Sequence, residues 1–574
     1  METGFFRRFM SMGKGILSFY LFTLLLLSVP VRAQYAVLPL PQSIVEQKGE
    51  PFILEEGVQI LAPVELQREA QFLQQYIKEV ADLDLAIADQ GDRSLIRKKS
   101  RVKQSVPLIR LSVSTKVNNP EGYILTVTSK GIIIEGGSSA GVFYGIQTLR
   151  KSLESKEEGG KWNKPPVIIE DQPRFSWRGM HLDCSRHFFP VSFVKKFIDL
   201  LALHNMNTFH WHLTDDQGWR LEIKSWPRLI EVGSKRSGTI IGTNSDLDDH
   251  VPYGGYYTQA EAREIVAYAA ERHITVIPEI DMPGHMLAAL ASYPELGCTG
   301  GPYQVGHYWG VYKDVLCVSN PKVYQFVEDV LTEVMYIFPS EVIHIGGDET
   351  PTDKWQACPK CQALAKTFPG ATDAQSGEFE PLTSKLSPLQ AHFTKRVFEF
   401  LTSKGRRALG WDEILDGSPQ DAMIMSWRGT EPGAKAAATG HDVVMSPTTH
   451  CYFDYQQVED VLFEPSRCGG FIPIEKVYSL DPAPDSVSVE TRSHILGVQA
   501  NLWTEYITSG EMLEYQALPR MSALAEVQWT QPSRKDFDDF RVRLSRFTGL
   551  LDRYGYRYCK HLWPERQIPS RWQF

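Results

Sequence analysis

From residue 174 onward, short apolar runs alternate with longer stretches in which apolar residues recur at helical spacing. That alternation leaves few folds open. Strand, helix, strand repetition makes a parallel sheet, because parallel neighbours need a crossover long enough to hold a helix. The strand-like runs are 179–183, 208–213, 275–280, 342–345, 407–411, 422–427, 442–446 and 495–502. Eight parallel strands with intervening helices point to a (β/α)8 TIM barrel, an α/β fold. Residues 258–272, ahead of the third run, read as one of the helices, with Thr258 as its cap and acids in its first turn. In such a barrel the carboxyl-terminal tips of the strands carry the chemistry.

The fourth run reads VIHIGGDETP over 342–351. Its β-branched start suits a buried strand. Two glycines break the run, and Asp348 and Glu349 follow. Two readings are open here: two acids exposed at a strand tip, or a turn and helix start completed by Thr350 and Pro351. The other tips bear on the choice. The first brings Asp183 and Arg186, the second His210, His212, Asp215 and Asp216, the third Glu279, Asp281 and His285. The fifth brings Trp411, Asp412 and Glu413, the sixth Trp427, the seventh Tyr452 and Asp454, the eighth Trp503 and Glu505. Polar and aromatic groups at all eight tips favour one shared pocket over packing.

The mixture suggests a saccharide. Carboxylates with one arginine can pair with neighbouring hydroxyls, and tryptophans offer flat walls to a sugar's apolar face. A phosphorylated ligand fits poorly, since acids outnumber bases and no glycine-rich phosphate loop is present. The HWH run at 210–212 puts two histidines on one face of a strand. Histidines held by acids is one reading and a metal site the other; the HExxH spacing of a zinc hydrolase is absent. Asp215 also fits a helix cap.

The remainder frames this barrel. Arg7, Arg8 and Lys14 precede an apolar run at 16–29 and the small-residue site Val31-Arg32-Ala33. Residues 1–33 therefore read as a signal peptide cleaved near Ala33-Gln34, giving a periplasmic or secreted protein. The apolar run is short for a membrane span, so no stable membrane insertion is expected. Residues 34–170 read as a separate α+β domain, with a helix at 64–83, strands at 106–113, 122–128 and 131–135, and a helix from Ser138. A polar, glycine- and proline-containing stretch at 155–166 marks its end. The barrel takes 171–534, and 535–574 form a helix and tail packed on it. A net charge of -9 argues against nucleic acid as a partner. Of the eight cysteines, Cys358 and Cys361 form a lone CxxC. One such pair is half of the four ligands a structural zinc wants, so a short disulfide or free thiols are expected. Cys298 and Cys317 flank one loop and can pair with each other.

Four motifs resemble glycoside hydrolase family 20, the β-N-acetylhexosaminidases: RGMHLDCSRHF (178–188), FHWHLTDDQGWR (209–220), DMPGH (281–285) and HIGGDE (344–349). The resemblance covers nearly the whole chain after residue 33 and implies an α+β domain ahead of a catalytic barrel. It also implies a retaining, substrate-assisted mechanism, an exception to the usual scheme of two protein carboxylates. Glu349 would be the general acid and later the base. Asp348 would hold the N–H of the substrate's 2-acetamido group while the acetamido oxygen attacks the anomeric carbon. His285 and Asp215 would tune Glu349, whose pKa is expected to be raised by its ionised neighbour. Arg186 and Glu505 would hold sugar hydroxyls, Asp454 a hydroxyl or hydroxymethyl, and Tyr452 the acetamido oxygen, with Trp411, Trp427 and Trp503 boxing the sugar. The implied partner is an oligosaccharide or glycoconjugate ending in N-acetylhexosamine, with no cofactor and no metal. Within the family a lacto-N-biosidase is the alternative, and outside it a non-catalytic glycan-binding protein.

Overall fold

The computed structural model describes residues 35–561, apart from 90–106, 154–161, 244, 369–387, 460–463, 465–468 and 485. The expected leader with its cleavage site, most of the expected linker, Cys468 and the end of the tail lie outside the described residues.

The amino-terminal part is a seven-stranded mixed sheet. Its order is Ser43–Glu46, Val167–Asp171, Tyr123–Thr128, Gly131–Gly136, Leu108–Val113, Gln59–Ala62, Ala86–Asp89. The hairpin expected around Ser129-Lys130 forms, with Thr128 paired to Gly131. Both of its strands alternate buried and open positions, as a sheet with one packed face requires. Two helices, Gln67–Ala81 and Ser139–Lys151, cover that face. Ser138 caps the second by accepting from the Ala140 N–H at 3.1 Å. The first is shorter than its apolar pattern suggests. It opens as a 3-10 turn at Val64–Leu66 and ends at Asp82, which is left-handed at φ 56°.

The barrel follows. Its strands are β1 (Trp177–Asp183), β2 (Thr208–His212), β3 (Thr275–Glu279), β4 (Val342–His344), β5 (Arg407–Trp411), β6 (Met423–Ser426), β7 (Val443–Met445) and β8 (Ile495–Ala500). They pair in chain order, all parallel, and β8 closes on β1 with Gly497 opposite Trp177. A Cβ on Gly497 would stand 1.8 Å from the Trp177 carbonyl oxygen, so closure at this seam requires glycine. Each of the eight expected runs is one of these strands, with ends moved by a few residues at most. The helix before β3, Gln259–Ala270, starts with a full capping box between Thr258 and Glu261. An apolar cluster from six strands, including Ile277, Leu409, Met423, Met425 and Val444, fills part of the barrel interior. Among the described residues no helix is long and apolar enough to cross a membrane.

Chain ends lock the two parts together. The helix Phe537–Arg553 sets Arg543 against Glu526 at 2.5 Å, both side chains buried. Glu526 also accepts from the Leu40 N–H at 3.0 Å, and Arg543 donates to the Val37 carbonyl at 3.2 Å. Arg553 donates to the Val80 carbonyl at 2.6 Å. Deeper in, the fully buried Arg178 on β1 reaches Glu121 of the sheet domain at 2.6 Å. A buried pair is costly to halve, because the survivor is left as an uncompensated charge. Arg543 keeps Asp539 at 2.7 Å, so Glu526→Gln should cost about 2 kcal/mol in urea unfolding, and Glu526→Leu with Arg543→Met should recover only part of it because the Leu40 N–H loses its acceptor. An unmoved transition for Glu526→Gln would show that this junction does not stabilise the fold.

Candidate active site

Past β4 the chain turns sharply. Gly346 and Gly347 have φ of 68° and 95°, and Glu349 has φ 39°. A Cβ on Gly346 would lie 1.7 Å from Asp281 Oδ1, so the turn wraps round Asp281, which accepts from the Gly347 N–H at 3.2 Å. A glutamate in the left-handed region is uncommon and marks a backbone held there by its surroundings. The pair does not start a helix. The next helix begins at Asp353 behind Thr352, which makes no side-chain cap bond. Asp348 and Glu349 instead stand at the strand tip, with side chains 13% and 41% exposed.

A chain of charged hydrogen bonds runs up to them from inside the barrel. Glu279, at the end of β3, is fully buried. Its carboxylate meets His212 Nδ1 at 2.5 Å, His210 Nε2 and His344 Nδ1 at 3.0 Å each, and the Trp411 indole N–H at 3.0 Å. His212 Nε2 continues to Asp215 Oδ2 at 3.1 Å, and Asp215 Oδ1 to His285 Nδ1 at 3.2 Å. Asp216 Oδ2 lies 3.3 Å from the same nitrogen. His285 Nε2 then faces both acids, 3.7 Å from Glu349 and 3.8 Å from Asp348. The two histidines of HWH do share a face, and both are held by Glu279. Asp215 lies in a two-residue strand paired with Gly218–Trp219 and caps no helix.

The far wall is built on Arg186. Its guanidinium contacts Asp215 at 2.8 Å, Asp183 at 3.2 Å and Glu505 at 3.7 Å, and donates to Gln217 Oε1 at 2.9 Å. It lies 5.2 Å from the Trp503 ring. Trp503 and Trp411 are 5.9 Å apart at 44°. Trp427 lies nearly parallel to Tyr452 at 6.3 Å, its indole N–H bonded to Glu413 at 2.9 Å. Asp348 Oδ1, Asp454 Oδ1 and Glu505 Oε2 are buried with no hydrogen-bond partner among the described residues. Three unmet acceptors between aromatic rings suit a ligand with several N–H and O–H donors and flat apolar faces.

Electrostatics divide the two acids in the opposite sense to that expected from their adjacency. Burial alone would lower the His285 pKa, but Asp215, Asp216 and Glu349 hold it well above the usual histidine range. That cation decides the order. Burial would raise Glu349, yet the cationic His285 ring facing it at 3.7 Å, with Arg186 behind, holds it below its ordinary value. Burial pushes Asp348 up to about 6, with His285 opposing and the charge of Glu349 adding. The expected raised Glu349 is thus corrected: in the free protein the higher pKa belongs to Asp348. Burial and the charges of Asp348 and Asp412 push Glu413 up to about 8.

All the expected site residues gather here: Arg186, Asp215, His285, Asp348, Glu349, Trp411, Trp427, Tyr452, Asp454, Trp503 and Glu505. The roles of Glu279, Asp183, Gln217 and Glu413 were not assigned from sequence. Glu279 and Asp183 were visible as strand-tip acids, but nothing local marks Glu279, whose partners His210, His212, His344 and Trp411 all come from other strands. Other residues could hold a cation. Four thiols, Cys298, Cys317, Cys358 and Cys361, have their sulfurs within 4.8 Å of one another. They lie along the segments that follow β3 and β4.

Comparison with known proteins places the fold in a family. The catalytic-domain model of glycosyl hydrolase family 20 matches residues 175–532, and that family's domain 2 matches 34–172. A beta-hexosaminidase of Porphyromonas gingivalis is 39% identical over 91% of this chain and 64% of its own length. One from Akkermansia muciniphila is 35% identical over 76% of this chain and 85% of its own. The chain spans 64% of the length of each of the first two curated relatives it matches. Among solved structures, the GH20 beta-N-acetylhexosaminidase of Streptomyces coelicolor superposes with a TM-score of 0.76 at 32% identity, covering 93% of this chain and 99% of that one. The Vibrio harveyi GH20 exo beta-N-acetylglucosaminidase, solved with N-acetylglucosamine, gives 0.77 at 33% identity, covering 92% and 78%. A closed parallel barrel bearing this ring of acids and tryptophans, matched along nearly its whole described length, belongs to glycosyl hydrolase family 20.

Proposed function

We propose that the chain is an exo-acting β-N-acetylhexosaminidase. It removes terminal non-reducing β-linked N-acetylglucosamine or N-acetylgalactosamine with retention, using the substrate's own acetamido oxygen as nucleophile. One observation carries the reading: Asp348 Oδ1 is a buried acceptor with no partner, on the residue next to a half-open Glu349. An acetamide N–H supplies the missing donor. The names of the relatives support the same reaction and the same class of substrate.

The chemistry runs in two steps. Glu349 gives its proton to the glycosidic oxygen as the bond from that oxygen to the anomeric carbon breaks. The acetamido oxygen bonds to the anomeric carbon from the opposite face, and Asp348 steadies the positive charge that develops on the oxazolinium ring. Water then attacks the anomeric carbon, Glu349 takes its proton, and the ring opens with net retention. Arg186, Asp454 and Glu505 fix the sugar's outer hydroxyls, and Trp411, Trp427 and Trp503 wall the acetamido pocket and ring face. The leader-like residues 1–33 support export, so the proposed site of action is the periplasm or the medium.

Glu349→Gln should lower kcat by about 10²-fold or more on a glycoside with a poor leaving group. The loss should shrink on an activated aryl glycoside, whose departure needs little protonation. Equal losses on both would remove Glu349 from the acid role.

The pKa order gives a second test. The productive state carries one proton on the Asp348–Glu349 pair, with Glu349 protonated. As pH rises, that single proton leaves at the upper value of the pair, which in the free protein is about 6 because burial raises Asp348. kcat/KM, which reports the free enzyme, should therefore fall above about pH 6. Asp348→Asn leaves the proton to Glu349 alone, held low by His285, so the residual activity on an aryl substrate should decline at lower pH. An unmoved limb would separate it from Asp348.

A further inference from the structure

The geometry points to a site that the glycosidase reading does not use: we propose that Cys298, Cys317, Cys358 and Cys361 bind one zinc ion as a tetrathiolate. Read along the sequence, Cys358 and Cys361 are only two ligands. The fold supplies the other two from the loop after β3. Cys317 Sγ and Cys298 Sγ lie 3.6 and 3.9 Å from Cys361 Sγ. With zinc–sulfur bonds of about 2.3 Å, the sulfurs of a tetrahedral site stand about 3.8 Å apart. A disulfide would need about 2.05 Å, and all four thiols are free. Cys361 approaches two other sulfurs at comparable distances, which suits a shared centre and disfavours any single pairing.

The surroundings fit a structural ion. Cys317, Cys358 and Cys361 are buried and Cys298 is partly so, leaving no open coordination position of the kind a catalytic zinc keeps. The Ser319 hydroxyl lies 3.3 Å from Cys361 Sγ and 3.4 Å from Cys317 Sγ, where it can donate to a thiolate. A four-sulfur donor set selects zinc or iron over harder ions, and zinc needs no redox partner.

Such an ion would join two segments that serve the active site. Cys358 and Cys361 sit at the start of the helix Pro359–Ala365, shortly after Glu349. Cys298 and Cys317 end a loop whose middle reaches the far wall, where the Gly306 N–H donates to the Asp216 carbonyl at 2.9 Å. Gln217, which holds Arg186, donates to the Tyr308 carbonyl of the same loop at 3.0 Å. Trp355 already ties the segments together by donating to the Leu316 carbonyl at 2.8 Å. The ion's role is to fix the distance between the acid-bearing turn and the Arg186 wall.

The test is metal analysis of the full chain purified without chelator or metal-affinity resin. Elemental analysis should find about one zinc per chain, released as a mercurial titrates the four thiols. Cobalt substitution should give the visible bands of a tetrahedral tetrathiolate. Cys361→Ser should lose most of the zinc, and a strong chelator should lower the thermal midpoint of the parent protein but not of that variant. If the variant fails to fold, the parent's zinc content and cobalt spectrum decide alone. Metal-free protein with these cysteines in disulfides, metal-free protein with four free thiols, or iron in place of zinc would each overturn the proposal. None of these readings depends on glycosidase activity.

Discussion

Everything at the mouth of the barrel depends on one carboxylate sealed inside it. Glu279 has no access to water, and its charge is sustained by His210, His212, His344 and the Trp411 indole. Burial would push its pKa up, but the surrounding histidines hold it well below the usual range. An isolated charge at that depth would be neutralised instead. Because it stays ionised, it keeps His212 protonated, and His212 in turn orients Asp215 toward His285. His285, held by Asp215 and Asp216, in turn lowers the pKa of Glu349. Glu279 also fixes the Trp411 ring through its indole N–H, so one buried charge orients both the His212–Asp215–His285 chain and a wall of the pocket.

The scaffold was legible from sequence because its signals are local. Eight buried runs separated by helical patterns admit a barrel, and the Gly-Gly-Asp-Glu break after β4 showed where the acids emerge. What stayed hidden depends on partners far apart in the chain. Trp411 and Glu279 are 132 residues apart, and Arg186 and Gln217 are 31. Adjacency in sequence even misled. Asp348 and Glu349 look like a pair in which one acid raises the other, but the cation that reverses their order comes from another loop and is itself held by two further acids. The cysteines show the same effect. Cys358 and Cys361 look like half a site until the fold brings Cys317 and Cys298 from 44 and 63 residues before Cys361.

An apolar cluster and a buried polar network meet inside this barrel, with Trp411 belonging to both. Methionine, aliphatic and tryptophan side chains from six strands fill one interior cluster, while histidines, Glu279 and Gln499 make up a polar interior. Gln499 bonds both His210 and Met425, at 2.9 and 3.4 Å, and so stands where the two meet. The apolar cluster gives cohesion, and the polar groups fix ring orientations that a fluid apolar interior would leave free.

The carboxyl-terminal helix has a consequence for how the molecule comes into being. Arg543 and Arg553 reach residues near the beginning of the chain, 506 residues back for Val37 and 473 for Val80. A nascent chain can build the sheet domain and most of the barrel before residues 537–553 appear, and the bonds from Arg543 to Val37 and from Arg553 to Val80 form only after that. Such distant closures come late in folding and leave earlier intermediates with exposed surface. A translation stop or proteolytic nick before residue 537 would leave every proposed catalytic residue and the Arg178–Glu121 pair in the chain while removing the contacts that Arg543 and Arg553 make with the sheet domain.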